Sequence, residues 1–171
     1  MDTSEPVAPD LSGFTLFDFE LVPQVWYEQQ KKPITLHRDE HGWVGSHWWD
    51  YHNATVHYAD YFDGFLSRSE SLLQLHDPAE TVWTDENHHT VGLWETANGD
   101  VAGVVICLDV RYPYSDFVAG LVKIAIRSDC IFFMRDEESF LEPSTIAVVE
   151  AVNRSPAGIA LANPASVLRT H

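Results

Sequence analysis

The segment from Thr90 to Met134 constrains the fold most, because it contains long apolar runs that are separated by turn signals. The runs 90–96 and 101–110 flank Asn98-Gly99, a dipeptide favoured in two-residue hairpin turns, where both turn positions need φ > 0. The second run is almost continuously apolar, which is typical of a central strand covered on both faces. The pattern predicts an antiparallel hairpin at the centre of a sheet.

The rest of this segment predicts a helix followed by another strand. Ser115 is a favourable N-cap residue, and the apolar positions Phe117, Leu121 and Ile124 follow with helical spacing. The run 130–134 is apolar throughout and predicts a strand. This strand, helix and strand form either a parallel crossover unit or an antiparallel return, and both topologies remain open.

Other elements are predicted from periodicity and from residues that stop or start them. The first is a strand over 13–22, with Phe17, Phe19 and Leu21 on one face. It is followed by a short helical turn at 25–27, a loose hairpin between 34–36 and 43–44, and helical structure over 54–75 that Gly64 interrupts. The later elements are a strand at 81–84, a loop at 136–141, and a helix from Pro143 to about Arg154 with breakers after it. Residues 1–12 are predicted to be a disordered tail.

These elements together predict an α+β fold. The 171 residues are enough for one domain, placed at 13–171, and the composition of 45% hydrophobic and 21% charged residues is that of a globular protein. The expected architecture is a single mixed or antiparallel sheet of about 5–6 strands, with helices packed on it.

The charge balance limits the classes of partner. Lys and Arg together number 10 against 26 Asp and Glu, which gives a formal net charge of −16. A negative field of this size repels nucleic acid and anionic membranes and attracts basic proteins. The N-terminal residues show no signal-peptide pattern, and the two cysteines lie inside apolar runs, so we expect a cytoplasmic protein. Whether Cys107 and Cys130 face each other depends on the strand order.

Motifs for metal, nucleotide or covalent chemistry are missing from the sequence. His47, His52 and His57 are five residues apart, a spacing that suits neither a helical nor an extended metal site, and no HExxH or Cys-x-x-Cys pattern occurs. Cys107 lies within an apolar run, where desolvation keeps the pKa of a thiol high. We therefore predict no catalytic residue, no metal and no cofactor, although an enzymatic function stays open.

The distribution of acidic and aromatic residues suggests a binding surface. No Lys or Arg occurs from Ser69 to Val110, whereas Asp and Glu alternate there with tryptophans. Acidic residues around exposed aromatic rings suit a basic protein partner, since the charges steer the encounter and the rings supply anchoring contacts. The predicted partner-binding residues are Asp77, Glu80, Trp83, Asp85, Glu86, Trp94, Glu95, Trp48, Trp49 and Asp50. The alternative is that the tryptophans belong to the core and the acids only solvate its rim.

Three functions are compatible with this sequence. The first is an immunity or inhibitor protein that neutralises a basic toxin, such as a nuclease, by direct binding. The second is a small hydrolase with a pocket formed by Trp48, Trp49, His52 and His57, in which the His57–Asp60 pair acts as a general base. The third is an acidic domain adapted to high salt or solubility, whose carboxylates would be spread evenly.

Overall fold

The computed structural model describes residues 15–29, 48–49, 57–69 and 79–163. Within these ranges the elements are β1 (Leu16–Pro23), α1 (Gln24–Gln29), α2 (Tyr58–Asp63), β2 (Ser67–Ser69), β3 (Ala79–Thr84), β4 (Thr90–Glu95), β5 (Val101–Asp109), α3 (Ser115–Arg127), β6 (Cys130–Met134), β7 (Ser139–Leu141), α4 (Thr145–Arg154) and α5 (Pro156–Ala162). The predicted tail and the predicted hairpin between 34 and 44 lie outside the described residues.

The strands form one antiparallel sheet in the order β2-β3-β4-β5-β1-β6-β7. The predicted single-domain α+β class is confirmed, with seven strands among the described residues where about 5–6 were expected. β1 lies between β5 and β6 and is antiparallel to both. The strand–helix–strand unit β5–α3–β6 therefore crosses over β1, and its two strands run in the same direction without being neighbours.

Side-chain alternation along β1 defines two faces of the sheet. Phe17, Phe19 and Leu21 are almost completely buried on one face, which we call the inner face. The helices α2 and α3 lie on this face: Phe62 of α2 contacts the inward-pointing Trp83, with ring centroids 5.2 Å apart. The short helix α1 lies on the opposite side of the sheet, where the ring of Tyr27 is 4.9 Å from that of Phe140 on β7. The opposite, outer face carries Asp18 and Glu20. The main hydrophobic core thus lies between the inner face and the helical layer.

The predicted hairpin of β4 and β5 is present, but its turn differs from the prediction. Gly99 has φ +82°, whereas Asn98 is not among the described residues with positive φ. The Gly99 N–H donates to the carbonyl of Thr96, and the Thr96 N–H donates to the carbonyl of Asp100, both at 2.8 Å. The connection is therefore a three-residue loop with one left-handed glycine instead of a two-residue type I′ turn.

β5 is central in the sheet but is well covered on one face only. Its inward residues Val104, Ile106 and Leu108 are buried, whereas Val105 and Cys107 on the outer face are half-buried. The prediction of coverage on both faces was wrong, because an apolar run does not show whether a second layer covers its outer side.

Several helix boundaries also differ from the sequence-based expectation. The helix predicted over 54–75 ends at Asp63 in the described part of the chain, and Ser67–Ser69 pairs with β3 instead. α3 is confirmed, but its N-cap is Tyr114 and no side chain caps it. α5 was missed: Ser155 caps it by accepting a hydrogen bond from the Gly158 N–H, and Pro156 occupies its first turn.

Candidate functional site

A groove of about 1060 Å³ runs between α2, the β3–β4 turn and the exposed side of α3. Its floor is apolar and centres on Phe65, whose side chain is 40% exposed. A Cβ on Gly120 of α3 would lie 2.9 Å from Cε2 of Phe65, so this ring packs against the helix only because residue 120 is glycine. Phe117 lies beside it, with ring centroids 6.2 Å apart.

Four carboxylates border this groove. Asp85 and Glu86 belong to the β3–β4 turn, Asp116 lies in the first turn of α3, and Asp60 lies on α2. Asp60, Glu86 and Asp116 are exposed to solvent. The combination of an aromatic floor and a negative rim suits a ligand that is both apolar and cationic.

Two basic side chains near the C-terminal end of α3 also border the groove. Lys123 and Arg127 lie seven and eleven residues beyond Asp116, which corresponds to about 10 and about 16 Å along a helix. Neither is paired with a carboxylate in the described part of the chain. The four remaining described basic side chains all form ion pairs, which are Arg68–Asp63, Arg111–Asp109, Arg135–Glu20 and Arg154–Glu137.

His89 holds the two acidic walls of the groove together. Its buried ring lies between the β3–β4 turn and the loop before α3, where Nε2 is 2.9 Å from the carbonyl oxygen of Pro113 and Nδ1 is 3.2 Å from the Asp109 nitrogen. This arrangement suits the neutral ring, with Nε2–H as donor and Nδ1 as acceptor. The Oδ1 of Asp85 accepts the N–H groups of Asn87 and His89, both at 2.9 Å, which fixes the turn. Both ring nitrogens are therefore used for structure.

Three of the predicted partner-binding tryptophans belong to the core. Trp48, Trp49 and Trp83 are 2%, 5% and 0% exposed, so their rings cannot contact a partner in this structure. Trp83 donates its Nε1–H to Oδ1 of Asp63 at 2.8 Å, and Arg68 binds the same carboxylate. These hydrogen bonds hold the pKa of Asp63 down, at about 2. For these three rings the core alternative is therefore the correct one.

The other predicted residues lie in two separate places. Asp85 and Glu86 border the groove, whereas Glu80 and Trp94 are opposite each other on the outer face at the far end of β3 and β4. Glu95 follows a β-bulge that shifts the register after Trp94. Asp50 and Asp77 lie outside the described residues. The structure thus divides the predicted surface into a groove and an outer-face site.

Sequence reasoning did not assign Asp60, Phe65 and Asp116 to a binding site. Asp60 was considered only as a partner of His57, and Asp116 only as a favourable charge at a helix N-terminus. The available signal was Gly120, a glycine within an amphipathic helix, which often marks the close approach of another group. Its neighbour could not be named because Phe65 is far away in sequence.

No protein-family model, curated protein or solved structure matches this chain. A function for this protein is therefore inferred from the chemistry of the described residues. No group of three or more His, Cys, Asp or Glu side chains among them is arranged to hold a metal ion. The longest described helix has 13 residues, and no helix in the described ranges is both long enough and apolar enough to cross a bilayer.

The proposed hydrolase pocket does not form from the residues that can be located. Trp48 and Trp49 are core residues, and the exposed His57 precedes α2 without bordering the groove. His52 lies outside the described ranges. The cysteines are also separated, since Cys107 pairs with Asp18 on the outer face, whereas Cys130 faces inward and its Sγ lies 3.3 Å from Oη of Tyr58. The two thiols lie on opposite faces and cannot form a disulfide with each other.

Proposed function

We propose that this protein is a non-enzymatic binding protein that engages a basic partner protein through the groove. The supporting observation is the position of four carboxylates around the half-exposed Phe65, in a chain of net charge −16. The negative rim would accelerate encounter with a basic surface, and the aromatic floor would contribute most of the contact energy. Inhibition of a basic toxin, as carried out by immunity proteins, is the form of this function that the sequence favours.

The proposal is tested by affinity capture from the native cell with three tagged proteins. These are the wild type, a groove variant with Asp60, Glu86 and Asp116 changed to Lys, and a control variant with Asp100, Glu142 and Glu150 changed to Lys. The control residues are exposed and lie outside the groove. Because both variants change the net charge equally, they separate a local site from a general electrostatic attraction.

We expect a basic protein that the wild type and the control variant retain and that the groove variant loses. Its capture should weaken when NaCl is raised from about 20 to about 300 mM, since screening shortens the reach of exposed charges. A partner that both variants lose equally, or that the groove variant retains, would show that the groove is not the binding site.

A further inference from the structure

The outer face of the sheet carries a second site, formed by Trp94 and Glu80. These residues are directly opposite each other on β4 and β3, and both are half-buried. Gly103 is the residue of the neighbouring strand β5 that is paired with Trp94. Gly92 lies two residues before Trp94 on β4 and therefore on the same face of the sheet. The site is separated from the groove by the length of β3, which is about 15–20 Å for a six-residue strand.

Two glycines allow the indole of Trp94 to pack closely against the outer face of the sheet. A Cβ on Gly92 would be 3.1 Å from both Cη2 and Cζ3 of the indole, and a Cβ on Gly103 would be 3.7 Å from Cε3. The six-membered ring therefore occupies the space above Gly92 and beside Gly103. The ring makes no contact with another aromatic group among the described residues, and it is only half-buried, so part of it is accessible to a ligand.

The carboxylate of Glu80 reaches the same point. Its Oε1 would be 2.9 Å from the same added Cβ on Gly92, so the carboxylate and the indole converge above this glycine. Glu80 forms no hydrogen bond or ion pair with any residue that the structure describes, and partial burial raises its pKa. Two more deeply buried carboxylates are each paired with an arginine: Arg135 binds Glu20, and Arg111 binds Asp109. Within the described part of the chain, Glu80 is thus a half-buried carboxylate without a cationic partner.

We propose that Trp94 and Glu80 form a receptor for one cationic group, a guanidinium or alkylammonium. Such a cation would lie against the indole and be bound by the carboxylate, so that cation–π attraction and a charge-assisted hydrogen bond act on the same group. Partial desolvation of the site strengthens both interactions relative to bulk water. The receptor is separate from the groove and does not depend on the function proposed for it.

The experiment uses N-acetyl-arginine amide as the probe and N-acetyl-citrulline amide as its uncharged isostere. Each is titrated into the ¹⁵N-labelled protein, and the indole N–H resonance of Trp94 is assigned through Trp94→Phe. We expect a saturable shift of this resonance with the arginine probe and none with citrulline. Glu80→Gln should weaken binding about tenfold, in keeping with the loss of one charge-assisted hydrogen bond.

Two further variants serve as controls for charge changes elsewhere on the protein. Glu150→Gln, which removes an exposed carboxylate from α4, should leave the affinity unchanged. The groove variant should retain binding, so a failure of the groove proposal does not affect this one. The receptor is refuted if the citrulline probe binds as well as arginine, if Glu80→Gln has no effect, or if no saturable shift of the Trp94 resonance occurs.

Discussion

Gly92 shows how one residue without a side chain positions two others. Any Cβ at this position would come within 3.1 Å of the indole of Trp94 and within 2.9 Å of the Glu80 carboxylate. The Glu80 side chain can move away, but the ring is held above the backbone of its own strand and of β5. The close approach to Trp94, and not a special backbone conformation, is what requires glycine here.

We predict that Gly92→Ala lowers the free energy of unfolding by about 1–3 kcal/mol, which is the usual cost of overpacking. Gly103→Ala is the matched control, because its Cβ would make an ordinary contact at 3.7 Å. The control should be neutral or stabilising by up to about 1 kcal/mol, since alanine loses less backbone entropy than glycine on folding. Urea denaturation measures both values. Equal effects at the two positions would contradict the packing described for Trp94.

Cys107 is half-buried but chemically protected. Burial, together with a hydrogen bond to Asp18, raises the pKa of its thiol to about 12. At pH 8 only on the order of one thiol in ten thousand is then ionised, and we expect alkylation by iodoacetamide to be roughly a thousandfold slower than for free cysteine. Asp18→Asn should accelerate alkylation by lowering this pKa. Peptide mapping by mass spectrometry locates the label, and rapid labelling of Cys107 in the wild type would disprove the prediction.

At the scale of elements, Asp63 joins the short helix α2 to the edge of the sheet. Its carboxylate accepts Nε–H of Arg68 at 2.8 Å and Nη2–H at 2.7 Å, and it also accepts the Nε1–H of Trp83. Arg68 lies on β2, the three-residue strand at one end of the sheet order. This network explains why residues predicted to continue the helix form a strand: β2 is held by pairing with β3 and by a charged contact that periodicity does not show.

The lowered pKa of Asp63 predicts an acid-dependent contribution to stability. The pKa is about 2 in the folded protein against an ordinary value of 3.8, so the contribution is complete above pH 3.8 and is lost as the pH falls towards 2. Asp63→Asn should therefore destabilise the protein at pH 6 and make a smaller difference near pH 2. Thermal melts at several pH values measure this. An Asp63→Asn difference that is the same at both pH values would contradict the prediction.

The net charge belongs to the whole molecule. With a formal charge of −16, mutual repulsion among carboxylates opposes the compact state, and salt screens this repulsion. We predict that raising NaCl from about 0.02 to about 0.5 M increases the Tm by roughly 2–6 °C. The control variant with three acids changed to Lys should show a smaller increase. A fall in Tm with salt would instead show that the arginine–carboxylate pairs dominate the electrostatic contribution to stability.

The sequence by itself determined the elements whose signals are local. The β4–β5 hairpin, the amphipathic α3, the apolar β6 and the alternation of Phe17, Phe19 and Leu21 follow from hydrophobic periods and turn residues a few positions apart. The net charge, and with it the expectation of a basic partner, is likewise a property of the composition.

Only the tertiary structure decided which side each residue faces and what lies next to it. Trp83 and Trp94 each follow an aliphatic residue and precede a polar one, yet Trp83 points into the core and Trp94 lies on the outer face. The groove depends on Phe65 meeting Gly120, and the insertion of β1 between β5 and β6 depends on contacts across about a hundred residues. Such contacts arise when distant segments pack together, and a pattern within one segment carries no information about its neighbour.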